Sequence, residues 1–180
     1  MPLFNKNLRL PATHYLGRQA YFVTICTEER ADFFSREETG RWVVDELVSG
    51  AASANFLLHA WCAMPDHVHF VAEGRNDSCH LVKFVDGLKQ RTAYAFSRSE
   101  KKRLWQRRYY DHVLRPNDAI EDVARYLWWN PVRKGLCARP QDYPLSGSQA
   151  IDWMKRAAAA TGWVPPWKAG DGEKQAGKEG

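Results

Sequence analysis

The chain has 180 residues, 44% hydrophobic and 26% charged, enough to bury the core of one domain of ordinary size. No apolar run approaches the roughly 20 residues that a membrane-spanning helix needs. The first ten residues carry Lys6 and Arg9 but no apolar stretch and no small-residue cleavage site. A transmembrane protein is therefore excluded and a cytoplasmic one expected. Cys26, Cys62, Cys79 and Cys137 lack CxxC spacing, which argues for reduced, mostly buried thiols over a disulfide framework or a Cys-rich zinc site.

Taken in chain order, Tyr21–Thr27 is rich in β-branched and aromatic residues and reads as a buried strand. Ser35 and Glu38 have the spacing of a capping box, and Trp42, Val43, Glu46 and Leu47 continue it as a helix over about 36–49. Asn55–Met64 and His67–Ala72 are two strand-like runs separated by Pro65-Asp66, a turn pair, and predict an antiparallel hairpin. Leu81, Phe84, Val85, Leu88, Thr92 and Ala95 recur with helical period, with Lys83 and Gln90 facing away. Leu104–Leu114 reads as a further extended segment. Asn117-Asp118 then caps a third helix bearing Ile120, Val123, Ala124 and Leu127, which Pro131 ends. The order βαββαβ is that of the α+β, ferredoxin-like split βαβ sheet, with two helices on one face and an added C-terminal helix. Residues 1–148 form the expected domain. Residues 149–180 read as a short helix and a tail, because Pro165, Pro166 and the Gly/Lys/Glu-rich end offer no core, and the last dozen residues as disordered.

Charge is unevenly spread along the chain, whose net charge is +5. The stretch from Lys83 to Arg115 holds ten basic and three acidic residues, a balance of +7 that leaves −2 for the rest. Its cations Lys83, Lys89, Arg91, Arg98, Lys101, Lys102, Arg103, Arg107, Arg108 and Arg115 are interleaved with Trp105, Tyr109 and Tyr110, and all of them but Arg98 are candidate DNA contacts. Cations for phosphates and flat faces for unstacked bases are what nucleic-acid binding uses, although basic runs are often only solvated surface.

On a strand, His67 and His69 project from one face while Val68 points to the other, so the two imidazoles can share a metal ion. Without context such a pair is as well read as two ordinary strand residues. On the third helix Tyr126 and Asn130 lie four residues apart on the flank of the apolar face. A phenol is a weak nucleophile that needs a base or a metal-polarised electrophile, which a His-His-Asn site on the facing sheet would provide.

These motifs together resemble the REP-associated tyrosine transposases, within the single-tyrosine HUH transposase group of the IS200 kind. The resemblance runs from Arg9-Leu10-Pro11 and Tyr21-Phe22-Val23-Thr24 through Met64-Pro65-Asp66-His67-Val68-His69-Phe70 and Trp105–His112. It continues through Tyr126-Leu127-Trp128-Trp129-Asn130-Pro131-Val132-Arg133-Lys134-Gly135-Leu136 to Asp142-Tyr143-Pro144 and Ser146. It implies that His67, His69 and Asn130 hold Mg²⁺ or Mn²⁺ and that Tyr126 attacks a phosphate of single-stranded DNA. It also implies a REP-type palindromic hairpin as substrate and, for this branch, a monomer, with the dimer of insertion-sequence relatives as the alternative. Two other readings stay open at this stage. One is a non-catalytic DNA- or RNA-binding module on the same fold. The other is a regulatory protein with a structural zinc at His67 and His69, assisted by His59 or Cys62.

Overall fold

The computed structural model describes residues 11–116, 118–158 and 162–167. Its elements are β1 (Ala20–Cys26), α1 (Glu37–Ser53), β2 (Phe56–Met64), β3 (His67–Gly74), α2 (Leu81–Glu100), β4 (Tyr110–Val113), α3 (Ile120–Trp128), α4 (Asn130–Arg133), β5 (Ser146–Gly147) and α5 (Trp153–Arg156). The strands form one antiparallel sheet in the order β4-β1-β3-β2-β5. The expected split βαβ arrangement is present, with β5 added at the edge of β2. A Cβ on Gly147 would come within 2.3 Å of the Trp61 ring, so glycine is what lets β5 lie so close.

Both faces of the sheet are covered, and the strand period of two sorts the side chains between them. Tyr21, Val23 and Ile25 of β1 and Val68, Phe70 and Ala72 of β3 pack against α1 and α2 through Val43, Leu47, Leu81, Phe84, Val85 and Leu88. The opposite face carries Phe22, Ala60, Cys62, Met64 and Val71, and is covered by Val123, Ala124, Leu127 and Trp128 of α3. Glu121 and Asp122 in the first turn of α3 suit the positive end of its dipole.

Local signals misplace several boundaries. Helix α1 begins at Glu37 with no side-chain cap, and Ser35 instead ends a 3-10 turn over Phe33–Ser35. Burial of Phe34 (2% exposed) and its N–H bond to Pro65 O fix that turn, so a tertiary anchor replaces the expected capping box. On α2, Ala95 is exposed and Phe96 is buried in its place. The segment after α2 is not one strand: Trp105 makes a single bridge to Thr27, and regular pairing resumes only at Tyr110–Val113. Asn117 lies outside the described residues, while Asp118 accepts the Arg115 N–H at 2.7 Å instead of capping α3, whose N-cap is Ala119. Pro131 does not end helical structure either. It sits in the first turn of α4, where a missing N–H costs nothing, and Trp129 stays αR across the corner.

The stretch after Ser148 is the largest departure. Gln149 exchanges hydrogen bonds with Leu58 on β2, Ser148 Oγ donates to His59 O, and Trp129 Nε1 donates to Ala157 O. Ala157 is fully buried, Pro165 is buried, and Trp153, Trp163 and Trp167 pack against the α3 face. The tryptophans supply the apolar surface that a reading weighted by proline and glycine overlooks. Ala159 and Ala160, expected to extend the short helix, lie outside the described residues, as do the last dozen residues, expected to be disordered.

Trp105 is a core residue. It is 4% exposed, its indole meets Phe34 edge-on at 5.5 Å, and Nε1 donates to the buried Thr92 Oγ1 at 2.8 Å. Trp105→Ala should therefore lower the unfolding free energy by about 3–5 kcal/mol, measured by urea denaturation. An exposed base-stacking side chain would change it by less than about 0.5 kcal/mol.

Candidate active site

The site begins on β3. His67 and His69 share the face opposite Val68 and Phe70, and their Nε2 atoms approach to 2.7 Å. The outer nitrogen of each ring is tethered. His67 Nδ1 meets Asp66 Oδ1 at 2.5 Å, and Asp66 is held in turn by Arg30 at 3.0 Å. His69 Nδ1 meets Thr24 Oγ1 at 2.7 Å, because Thr24 is its direct register partner on β1. A carboxylate on Nδ1–H of His67 fixes the tautomer that leaves an Nε2 lone pair. The Thr24 hydroxyl can accept or donate, so His69 can present either a lone pair or a proton at Nε2 without losing its tether. His69 is 7% exposed under the Phe22 ring, 5.5 Å away. Two converging, outer-tethered imidazoles suit a divalent cation.

Helix α3 brings the second half over the same face. Tyr126 is half-buried, with the Trp163 ring edge-on at 6.5 Å and the Arg133 guanidinium 4.2 Å from its ring centre. Ring contacts run without a break from His69 to Phe22, Trp167, Trp163 and Tyr126. Asn130 opens α4. Its Oδ1 accepts from Arg133 Nη2, and its Nδ2 is buried with no hydrogen-bond partner among the described residues. No three of His, Cys, Asp and Glu converge on a possible metal position among the described residues. A cation on the His pair therefore needs another donor type, and the Asn130 carboxamide oxygen is chemically suited.

The structural-zinc reading finds no ligand set among the described residues. His59 is committed to Glu73 at 2.7 Å, and Cys62 is fully buried beside Met64 with its thiol pushed up to about 12 by burial. Burial likewise raises Tyr21 to about 12 and Tyr143 further, which keeps both phenols protonated.

The basic segment divides into parts with different roles. Lys83 and Arg91 are exposed on α2, behind the sheet from the His pair, and Arg91 pairs with Glu46. Lys89 Nζ donates to the Gln106 and Arg107 carbonyls and lies 5.6 Å from the Tyr109 ring centre, so it fastens the loop before β4. Lys101, Lys102, Arg107, Arg108 and Arg115 are exposed, and Arg103 is exposed but pairs with Glu28 at 3.2 Å. Trp105, expected to stack on bases, is buried in the core and has no face to offer one. Tyr109 is half-buried. Tyr110 is 42% exposed and registers with Thr24, on the His face of the edge strand. Asp66, Thr24 and Arg133 contact the candidate residues and were not among those expected. Asp66 could be suspected from its place beside His67, whereas Thr24 needs the β1–β3 register and Arg133 the α3–α4 corner.

Known proteins share this architecture. A solved structure of a REP-associated tyrosine transposase bound to a REP hairpin superposes with a TM-score of 0.65 at 18% identity, over 88% of this chain and 92% of that one. A REP-associated tyrosine transposase of Escherichia coli is 27% identical over 109 residues, 54% of this chain and 62% of its own length. A Haemophilus influenzae protein provisionally named as a transposase of the same kind is 26% identical over 141 residues, 70% of this chain and 77% of its own. The sequence pattern of the IS200-like transposases matches residues 17–128, spanning β1 to the end of α3 and so both halves of the site except Asn130, and the chain belongs to that family.

Proposed function

We propose that this protein is a single-stranded DNA transposase and endonuclease of REP-type hairpins that cleaves and rejoins strands through Tyr126. The observation that carries the reading is the tethered Nε2 pair of His67 and His69 on the sheet face covered by the tyrosine-bearing helix. In this reading His67, His69 and Asn130 would hold Mg²⁺ or Mn²⁺. The bound cation supplies charge neutralisation at the scissile phosphate. Asp66 and Thr24 keep both imidazoles turned inward, and Phe22 shields His69 from bulk water. Tyr126 Oη forms the new bond to phosphorus while the bond to the 3′-oxygen breaks. The phenolic proton is lost, the 3′-oxygen gains one, and a 5′-phosphotyrosine link and a 3′-hydroxyl result. The link conserves the phosphodiester, so a second 3′-hydroxyl can reverse or redirect the joining with no nucleotide cofactor. The exposed cations before β4 and Tyr110 beside the His face form the DNA path, with the phosphates on Arg107 and Arg108. Among the described residues no helix is long and apolar enough to cross a membrane, and action on nucleoid DNA as a monomer in the cytoplasm completes the reading.

Tyr126→Phe should abolish the covalent DNA adduct on a denaturing gel while hairpin affinity stays within about twofold, since only the attacking oxygen is removed. An adduct formed by the Phe variant, or its loss in Tyr110→Phe instead, would move the nucleophile elsewhere. Loss of the adduct in neither variant would leave no tyrosine role at this site.

His67→Ala and His69→Ala should each abolish metal-dependent cleavage, with the double variant no worse than either, because ligands that act as a unit are not additive. Cleavage rates across a Mn²⁺ titration check this. Undiminished activity in EDTA would remove the cation from the mechanism.

Arg107→Ala should flatten the slope of log K against log salt for hairpin binding by roughly one unit if it neutralises one phosphate. Tyr110→Ala should weaken binding at unchanged slope, since stacking releases no counterions. An unaltered slope for the arginine variant would show that its charge is only solvated surface.

A further inference from the structure

We propose that Arg133 is a positioning residue whose single guanidinium sets the side chains of both Tyr126 and Asn130. The proposal rests on the catalytic reading of those two residues. Three contacts define it: the guanidinium lies 4.2 Å from the Tyr126 ring centre, and Nη2 donates to Tyr126 O at 2.7 Å and to Asn130 Oδ1 at 2.5 Å. Positions 126, 130 and 133 are spaced i, i+4 and i+7. They share one face because the backbone stays αR at Trp129 and the N–H groups of Arg133 and Lys134 reach back to the Trp129 and Asn130 carbonyls across the Pro131 step. Arg133 then ends α4, and Gly135 at φ +70° turns the chain away.

The chemistry of the contacts explains why an arginine is used. A guanidinium carries donors and no acceptor, so it can only take the oxygen end of a carboxamide. Asn130 is thereby orientated as an oxygen donor, although its buried Nδ2 is left without a partner among the described residues. An asparagine free to rotate would turn that NH₂ group toward an acceptor or water, because leaving it bare is costly. The bond from Arg133 outweighs this. Oδ1 keeps a second lone pair, so it can serve a cation while still held. The same guanidinium lies over the Tyr126 ring, 4.2 Å from its centre, a cation–π position that arginine takes more often than lysine. One side chain thus couples the direction of the attacking phenol to the direction of the third ligand.

The test uses the full chain with Arg133→Ala, Arg133→Gln and Arg133→Lys, reading four quantities: Mn²⁺ affinity of the DNA-free protein by electron paramagnetic resonance, hairpin affinity, single-turnover cleavage rate and melting temperature. Loss of a partner that orients a metal ligand weakens metal affinity roughly 10- to 100-fold. The Ala and Gln variants should show that loss and a matching fall in cleavage rate. Hairpin affinity should stay within about threefold, as expected when no phosphate contact is removed. Arg133→Lys should restore less than about a tenth of either quantity, because a point charge lacks the planar fork. Added ethylguanidinium should partly rescue Arg133→Ala. Wild-type Mn²⁺ affinity in a folded Ala or Gln variant, or tighter binding from an unmasked Asn130 oxygen, would overturn the proposal. So would a hairpin affinity that falls in step with the rate, which would make Arg133 a phosphate contact. If Ala does not fold, the Gln and Lys variants carry the same comparison. The Mn²⁺ measurement does not depend on which tyrosine attacks, so failure of the nucleophile assignment is distinguishable from failure here.

Discussion

The alternation of β3 is the constraint on which the rest of this molecule depends. β3 is the middle strand, paired on both edges, so its register cannot slip without moving Val68, Phe70 and Ala72 out of the α1–α2 core. The same register sends His67, His69 and Val71 to the other face. The imidazole pair is therefore aimed by the burial of its neighbours, at no added conformational cost to the rings. Each fully buried apolar side chain of this type stabilises the fold by about 1.5–3 kcal/mol, well above what a single surface contact could contribute to holding the same geometry.

Around that pair the protein places acceptors and rings in preference to further acids. Asp66 and Thr24 hold the outer nitrogens, Arg30 holds Asp66, and Phe22 closes over His69. The network reaches from an exposed arginine to a buried threonine across two strands and one turn. Helix α3 joins it through an apolar ridge of Val123, Ala124, Leu127 and Trp128, while Tyr126 and Asn130 stay on the flank. Apolar packing thus fixes the helix, and polar contacts at its edge hold the Tyr126 and Asn130 side chains. The tryptophans that follow α5 complete the cover: Trp167 lies flat on His112 at 3.9 Å, and burial lowers the pKa of that imidazole below its ordinary value.

The charge of the segment from Lys83 to Arg115 is not all of one use. Lys89 secures a loop through two carbonyls, Arg91 and Arg103 answer acidic side chains of other elements, and Trp105 fills the core. Lys83, Lys101, Lys102 and Arg107 are exposed, and at the β4 edge Tyr110 shares the face of His69. Part of the +7 balance of this segment is thus engaged within the fold.

Much of this was legible in the chain itself. The strand and helix periods of Tyr21–Thr27, Leu81–Leu88 and Ile120–Leu127, with the Pro65-Asp66 turn, contain the βαββαβ order, because one buried face imposes each period locally. The spacing of His67 with His69 and of Tyr126 with Asn130 likewise places each pair on one face. Tertiary structure alone decided the rest. Thr24 reaches His69 only through strands that pair across 45 residues, and Phe34 and Phe96 displaced the expected helix cap and core position by long-range packing. Arg133 meets Tyr126 only because a proline step keeps the helical direction, and the tryptophans after Ser148 find their core on a sheet face that forms far earlier in the chain. Local pattern reports which residues need burial, but their partners are set by closures of the chain that no window of neighbouring residues contains.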